Sequence, residues 1–247
     1  MLINGKKTDL DPDAPPGMGV RQVAASSAQE GLTEDERADF LMAIERVRQR
    51  GYAYLKECHN ADDAIKFIGD LHRAVDVVFQ RESSSTLKPA CKVGCSHCCR
   101  LRVEIIDAEA FRIAEALQRR SPAEQVALIA RLRHHTAVPK PSSSHHAGLS
   151  DCAFLHDSRC SIYAVRPSVC RKAHSLSAEL CHAAAPQLPQ NFRLIIGAEA
   201  LMSGVSAAYR EAGLPSASRE LCAAVLLALT DDTAKARWYA GISVFAD

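Results

Sequence analysis

A chain of 247 residues, 47% of them hydrophobic, is long enough to bury a core and is expected to form one large domain, or a domain with extra arms. Its formal net charge is +1, so charge gives no reason to expect nucleic acid or an anionic membrane surface as partner. The longest apolar run, Leu221 to Leu229, is far short of the about 20 residues a membrane span needs, and residues 1–31 hold no stretch suited to a signal peptide. The expected location is therefore cytoplasmic, where thiols stay reduced and clustered cysteines hold metal more readily than they form disulfides.

Residues 1–31, rich in Pro, Gly and Asp, read as a flexible arm with little to bury. A helix is expected from about Thr33, where Glu36 completes a capping-box pattern; Phe40, Leu41, Ile44 and Val47 form its apolar face and Gly51 a stop. Ile65, Ile68, Leu71, Val75 and Phe79 recur at three or four residues and predict a second helix over 61–82. The stretch Ser83 to Thr86 leads into the first cysteine cluster. After it LRVEII reads as extended, Asp107 can cap a helix to about Arg120, and a further helix starts at Ser121 with Pro122 in its first turn and Glu124 three residues past the cap. Residues 137–150 read as a flexible loop, and the second cluster runs from Cys152 to about Cys181. The last third is helical again: Ile195, Ala198, Met202, Val205 and Tyr209 share a face, Gly213 and Pro215 interrupt it, and Ser218 and Asp231 restart it. There is no strand–helix alternation of the kind a parallel sheet requires. The expected fold is mainly α, with helices packed around two irregular cysteine-bearing loops. It divides into the arm (1–31), N-terminal helices (32–87), a cysteine-cluster metal-binding domain (88–183) and C-terminal helices packed on it (190–247).

The ten cysteines are unevenly placed. Cys91, Cys95, Cys98 and Cys99 form a C-x3-C-x2-C-C block; Cys152, Cys160 and Cys170 form a second, and Cys181 follows eleven residues later. Short spacings let neighbouring thiolates wrap a metal, and Gly94 relaxes the backbone between Cys91 and Cys95. Soft thiolate suits zinc, copper(I) and iron–sulfur centres, not magnesium or calcium. Lys88, Lys92, Arg100, Arg102, Arg171 and Lys172 flank the cysteines, placed to offset thiolate charge and lower thiol pKa values. Cys98 and Cys99 are adjacent and do not easily reach one tetrahedral ion, which leaves a second metal, a bridge or a reactive thiol open. With Cys181 the thiols number eight, enough for two four-thiolate zinc sites or two iron–sulfur clusters; without it, seven suggest a shared site. His97 sits among the first thiols as ligand or as a hydrogen-bond donor to one. His174 and His182 flank the second block. His134, His135, His145 and His146 read as solvated residues in or beside the loop. Cys222 reads as a core residue, and Cys58 has no assigned role.

At these residues the chain resembles the YkgJ-like cysteine-cluster family of zinc- or iron-chelating domains. Its first block aligns with Cys91, Cys95, Cys98 and Cys99. The E-A-x-R-I-A helix aligns with Glu109-Ala110-Phe111-Arg112-Ile113-Ala114. The second block aligns with Cys152-Ala153-Phe154-Leu155, Cys160-Ser161-Ile162-Tyr163, Arg166-Pro167 and Cys170-Arg171. Ala153 stands where the family often has Pro. The resemblance covers roughly residues 88–172. Arg166-Pro167 would fix an extended turn between Cys160 and Cys170, and Phe154, Leu155, Ile162 and Tyr163 would wall the site.

The expected function is metal binding by Cys91, Cys95, Cys98, Cys99, Cys152, Cys160, Cys170 and Cys181. The cofactor is an iron–sulfur cluster or iron in a redox or cluster-dependent role. The alternative is zinc in a structural module that docks a protein partner. The C-x3-C-x2-C spacing also occurs in radical enzymes that bind S-adenosylmethionine, but the repeated strand–helix units of that barrel are missing from the pattern here.

Overall fold

Thr33 opens the first helix as its spacing predicts. The Thr33 hydroxyl accepts from the Glu36 amide, and the Glu36 carboxylate accepts from the Thr33 amide at 3.0 Å. The computed structural model describes residues 32–83, 87–137, 151–185 and 187–245. The expected arm and all of the expected loop except Ala137 lie outside the described residues.

This helix, α1, spans Glu34–Leu55 and does not stop at Gly51. Gly51 is instead a contact point. A Cβ there would lie 2.8 Å from Ala208 Cβ, on a long helix near the far end of the chain. That helix, named α7 below, returns the closeness at Gly204, where a Cβ would meet Val47 Cβ at 2.6 Å and the Ile44 carbonyl oxygen at 2.7 Å. The two helices cross at a pair of glycines, one from each. A glycine inside a helical pattern therefore marks packing here and not termination.

Nine α-helices carry most of the described residues: α1; α2, Ala61–Ser83; α3, Asp107–Gln118; α4, Pro122–Ala137; α5, Ser168–Lys172; α6, Ala178–His182; α7, Phe192–Glu211; α8, Leu221–Thr230; and α9, Ala234–Tyr239. The fold is mainly α. Among the described residues no helix is long and apolar enough to cross a membrane. The α2 stripe Ile65, Ile68, Leu71 and Val75 is buried, and α2 packs against α3, α5 and α7. Tyr209 of α7 and Trp238 of α9 are fully buried, with Phe111 of α3 beside Trp238. Each polar tip is answered: the Tyr209 hydroxyl donates to the Ala64 carbonyl at 2.6 Å, and the Trp238 indole donates to the Pro215 carbonyl at 2.8 Å.

Two small antiparallel pairs join the helices. β1, Glu104–Ile106, pairs with β4, Ser218–Glu220, in the register Glu104↔Glu220, Ile105↔Arg219 and Ile106↔Ser218. The helix expected to restart at Ser218 thus begins three residues later. Ser218–Glu220 pairs with β1, and the Glu220 carboxylate caps α8 by accepting from the Ala223 amide at 2.8 Å. The other pair, β2 (Leu155–His156) and β3 (Arg159–Cys160), is a hairpin closed by Asp157 and Ser158, both at positive φ. That is the conformation a right-twisted two-residue hairpin needs. The second cysteine block is thus partly regular.

Gly204→Ala decides whether the helix crossing matters. Alanine gains up to about 1 kcal/mol of helix propensity over glycine. Overlap with a backbone oxygen at 2.7 Å outweighs that gain, for a net loss of about 2 kcal/mol in urea unfolding. A neutral or stabilised variant would show that the crossing has slack.

Candidate metal centre

The first block is a turn followed by a 3-10 turn. The Cys95 amide donates to the Lys92 carbonyl at 3.0 Å, and Gly94 between them sits at φ +86, where glycine carries no steric cost. The His97–Arg100 segment is 3-10 helix, with the Cys99 amide on the Ser96 carbonyl. The second block meets the first directly: the Cys152 amide donates to the Cys99 carbonyl at 2.7 Å. At the surface Arg100 pairs with Asp151 at 3.0 Å. Farther upstream, the Ala90 amide donates to the Ser175 carbonyl at 2.7 Å.

The wall expected beside the thiols is half built. Phe154 and Ile162 are buried, but Tyr163 is 64% exposed, and its ring carries the Arg166 guanidinium at 3.8 Å from the centroid.

Cys170 lies on α5, a five-residue helix held by buried polar groups. Glu109 of α3 accepts at one oxygen from the Ser168 amide and hydroxyl, both at 2.8 Å, and from His72 Nε2 of α2 at 3.0 Å. Arg171 pairs with Asp76 of α2 and donates to the carbonyls of Ala164 and Arg166. Lys172, also buried, pairs with Glu199 of α7. This corrects the expectation that Arg171 and Lys172 offset thiolate charge, since each already has a carboxylate partner. A cation whose field does favour thiolate, helping to lower Cys98 and opposing the rise at Cys160, is Arg166, which the sequence marks only as part of a turn.

None of the ten cysteines is in a disulfide. Cys99 donates to the Cys98 sulfur, which brings the Cys98 thiol down to about 7 and holds the Cys99 thiol above its ordinary range. Burial pushes up Cys170, whose neighbouring thiols are Cys98, Cys152 and Cys160. Burial also raises Cys160, near Cys152 and Cys98. Cys91, raised by burial as well, has Cys95, Cys98 and Cys181 as its thiol neighbours. The eight expected thiols thus fall into an outer group of Cys91, Cys95, Cys98 and Cys181 and an inner group of Cys98, Cys99, Cys152, Cys160 and Cys170. Cys98 belongs to both. Among the described residues no three of these sulfurs lie within 4.8 Å of one another, so the thiols converge without being closed on a point. As a donor set, crowded soft thiolates fit zinc or iron.

The histidines separate. His97 lies edge-on to His182, ring centroids 4.1 Å apart, linking the 3-10 turn to α6. His174 is structural: its Nδ1 hydrogen-bonds the Lys172 carbonyl at 2.8 Å, and its Nε2 accepts from the Asn191 amide at 2.8 Å. His134 and His135 are in the last turn of α4 and not in a loop, with His135 half-buried. His145 and His146 lie outside the described residues. Cys222 is a core residue as expected, but its thiol also hydrogen-bonds with Cys152. Nothing in the spacing pointed to that contact.

Residues 90–187 match the model of the CxxCxxCC family, described as "Putative zinc- or iron-chelating domain". The resemblance drawn from the cysteine spacing therefore holds over this stretch, and the match supports metal binding. No curated protein and no solved structure matches the chain.

Glu109 and His72 set a pH signature. Burial favours the neutral form of Glu109, but the His72 and Ser168 hydrogen bonds outweigh it and hold the carboxyl below its ordinary range. Burial also lowers His72. His72 Nδ1 is buried without a partner, which a bare lone pair tolerates better than an N–H, so the pair is a carboxylate and a neutral imidazole. A depressed folded pKa contributes stability above the unfolded value and loses it below. His72 therefore begins to destabilise the fold as pH drops below about 6.5, and Glu109 adds to this below about 4.3. Glu109→Gln is expected to cost about 3 kcal/mol at pH 7 and to flatten the acid limb of a stability–pH curve. An unchanged curve would mean the network is not a determinant of stability.

Proposed function

We propose that this chain is a metal-binding protein in which the two cysteine blocks build one shared thiolate centre for iron, as an iron–sulfur cluster, or for zinc. The observation that carries this reading is the 2.7 Å hydrogen bond from the Cys152 amide to the Cys99 carbonyl, which fastens one block to the other. Cys91, Cys95, Cys98, Cys99, Cys152, Cys160, Cys170 and Cys181 would hold the metal. The N-terminal helices (32–87) and C-terminal helices (190–247) act as its scaffold, gripping α5 through Asp76 and Glu199, with His72 holding the Glu109 carboxylate that Ser168 bonds.

More thiols than one tetrahedral ion can use favour a multinuclear, redox-active centre over a closed structural zinc. When bound, an iron–sulfur cluster supplies one-electron chemistry. The chain's part is to present Cys98 with its thiol brought down to about 7, to exclude water with Phe154 and Ile162, and to place the Arg166 cation beside the sulfurs. A zinc-stabilised interaction module is the second reading. It is favoured by the exposure of Cys95, which places an outer thiol within reach of a partner.

Two measurements test this. Anaerobically purified protein is expected to carry iron, acid-labile sulfide and a brown chromophore. Colourless protein with stoichiometric zinc selects the module, and protein that takes up neither metal sinks the proposal. Cys170→Ser should lower bound metal by half or more; metal content at the first block left fully intact would rule out a shared centre.

Proton release gives a further check. Cys91, Cys99, Cys160 and Cys170 are all held above the ordinary thiol range, so they are protonated at neutral pH and must lose protons to bind metal. Affinity should therefore rise with pH, by about tenfold per unit for each proton released. Competition titrations against a chelator between pH 6 and 8 read this slope, and a flat profile would contradict thiol ligation.

A further inference from the structure

The donor atoms of His135, Glu220 and Cys222 all lie within 4.8 Å of one another, the one such trio of potential metal ligands among the described residues. None of the three belongs to the eight expected thiol ligands. They come from three elements that the fold brings together: the last turn of α4, the end of β4 and the first turn of α8. Helices α4 and α8 pack on each other. The β1–β4 ladder fixes Glu220, and its own cap to the Ala223 amide holds its carboxylate at 2.8 Å.

We propose that His135, Glu220 and Cys222 form a second metal site, suited to zinc, with Cys152 as the fourth ligand. The donor set is one imidazole nitrogen, one carboxylate oxygen and thiolate sulfur, the mixed chemistry zinc accepts and magnesium or calcium does not. Ligand atoms around a tetrahedral zinc stand about 3.5 Å apart, given the usual zinc–sulfur and zinc–nitrogen bond lengths. A trio already within 4.8 Å therefore needs only small rotamer adjustments to close.

Three further observations point the same way. The Cys222 thiol hydrogen-bonds with Cys152, so a second sulfur is already in place beside the trio. Glu220 is fixed across the ladder from Glu104, and helix α8 starts at the next residue, so the Glu220 carboxylate and the Cys222 thiol are set by one continuous stretch of backbone. His135 lies in the final turn of α4, where the carbonyl ends favour positive charge. Because Cys152 also belongs to the inner thiol group, zinc here would fasten α4 and α8 to the edge of the main centre.

The test uses the full chain, stripped of metal under reducing conditions and titrated with zinc alone. His135→Gln and Glu220→Gln are half-buried positions whose replacement leaves the core intact, and each should remove one equivalent of bound zinc or weaken it at least 100-fold. With cobalt as the probe, the nitrogen contribution to the metal's X-ray absorption should vanish in His135→Gln. Cys170→Ser separates this site from the thiolate centre, since it should leave the equivalent bound by His135 in place. If that variant does not fold, the His135→Gln difference in the otherwise unaltered chain gives the same answer. Equal zinc content and equal spectra for the unaltered chain and His135→Gln would overturn the proposal, whatever the thiolate centre does. Zinc bound through His135 in a chain that takes up no further equivalent of metal would support this site and reject the shared thiolate centre.

Discussion

The organisation around the thiols depends on one buried carboxylate. Glu109 is 3% exposed, and a bare anion at that depth would cost several kcal/mol. It is held because three donors converge on a single oxygen: the Ser168 amide, the Ser168 hydroxyl and His72. Those donors come from α5 and α2, while Glu109 belongs to α3. One charge thereby fixes three helices, and it does so at the start of the short helix that carries Cys170. A five-residue helix is too short to be stable through its own hydrogen bonds. Its position is set by what its side chains grip, and Ser168 is the first of these.

The same logic runs along the rest of α5. Arg171 reaches Asp76 and two carbonyls of the preceding segment, and Lys172 reaches Glu199. Buried ion pairs add little net stability, because desolvation offsets most of the attraction, but breaking one leaves an unpaired charge. Their effect here is positional: α5 cannot slide or rotate without exposing a charge to the core. On the other side of the site the entry to the first block is hung in a similar way. The Asn191 side chain donates to the Glu82 and Leu87 carbonyls, while its amide donates to His174. The thiols are therefore brought together by polar clasps outside the cysteine motif.

This explains what could be read in the sequence. Periodicity and caps act locally, so α1, α2 and α4 start where their residues say. The thiol groups were legible because soft ligands at short spacing have few other uses. Gly51 misled because a helical glycine looks the same from its own strand of sequence whether it ends a helix or admits a neighbour; the neighbour, Ala208, is far along the chain. Ser218–Glu220 misled for a related reason: its partner is β1, more than a hundred residues earlier. Arg171 and Lys172 were misread because their partners, Asp76 and Glu199, are equally remote. The trio of His135, Glu220 and Cys222 was invisible on the same ground, with three elements each contributing one donor and no spacing to connect them.

The thiols themselves are graded from surface to interior, and the gradient has a consequence for how a metal would arrive. Cys95 is exposed, while Cys170 is half-buried on α5. Cys98 accepts the Cys99 S–H hydrogen bond, which brings its thiol down to about 7. A thiolate attracts a soft cation most strongly, so Cys98 would be the first of these thiols to hold a metal. Bound there, the metal would place positive charge beside the inner thiols and favour loss of their protons, the reverse of the thiol–thiol repulsion that helps hold Cys160 and Cys170 protonated. Because Cys99 and Cys152 share a backbone hydrogen bond, closing on the inner group needs side-chain rotation and not assembly of the two blocks. The polar clasps would thus serve metal binding by having the framework in place beforehand.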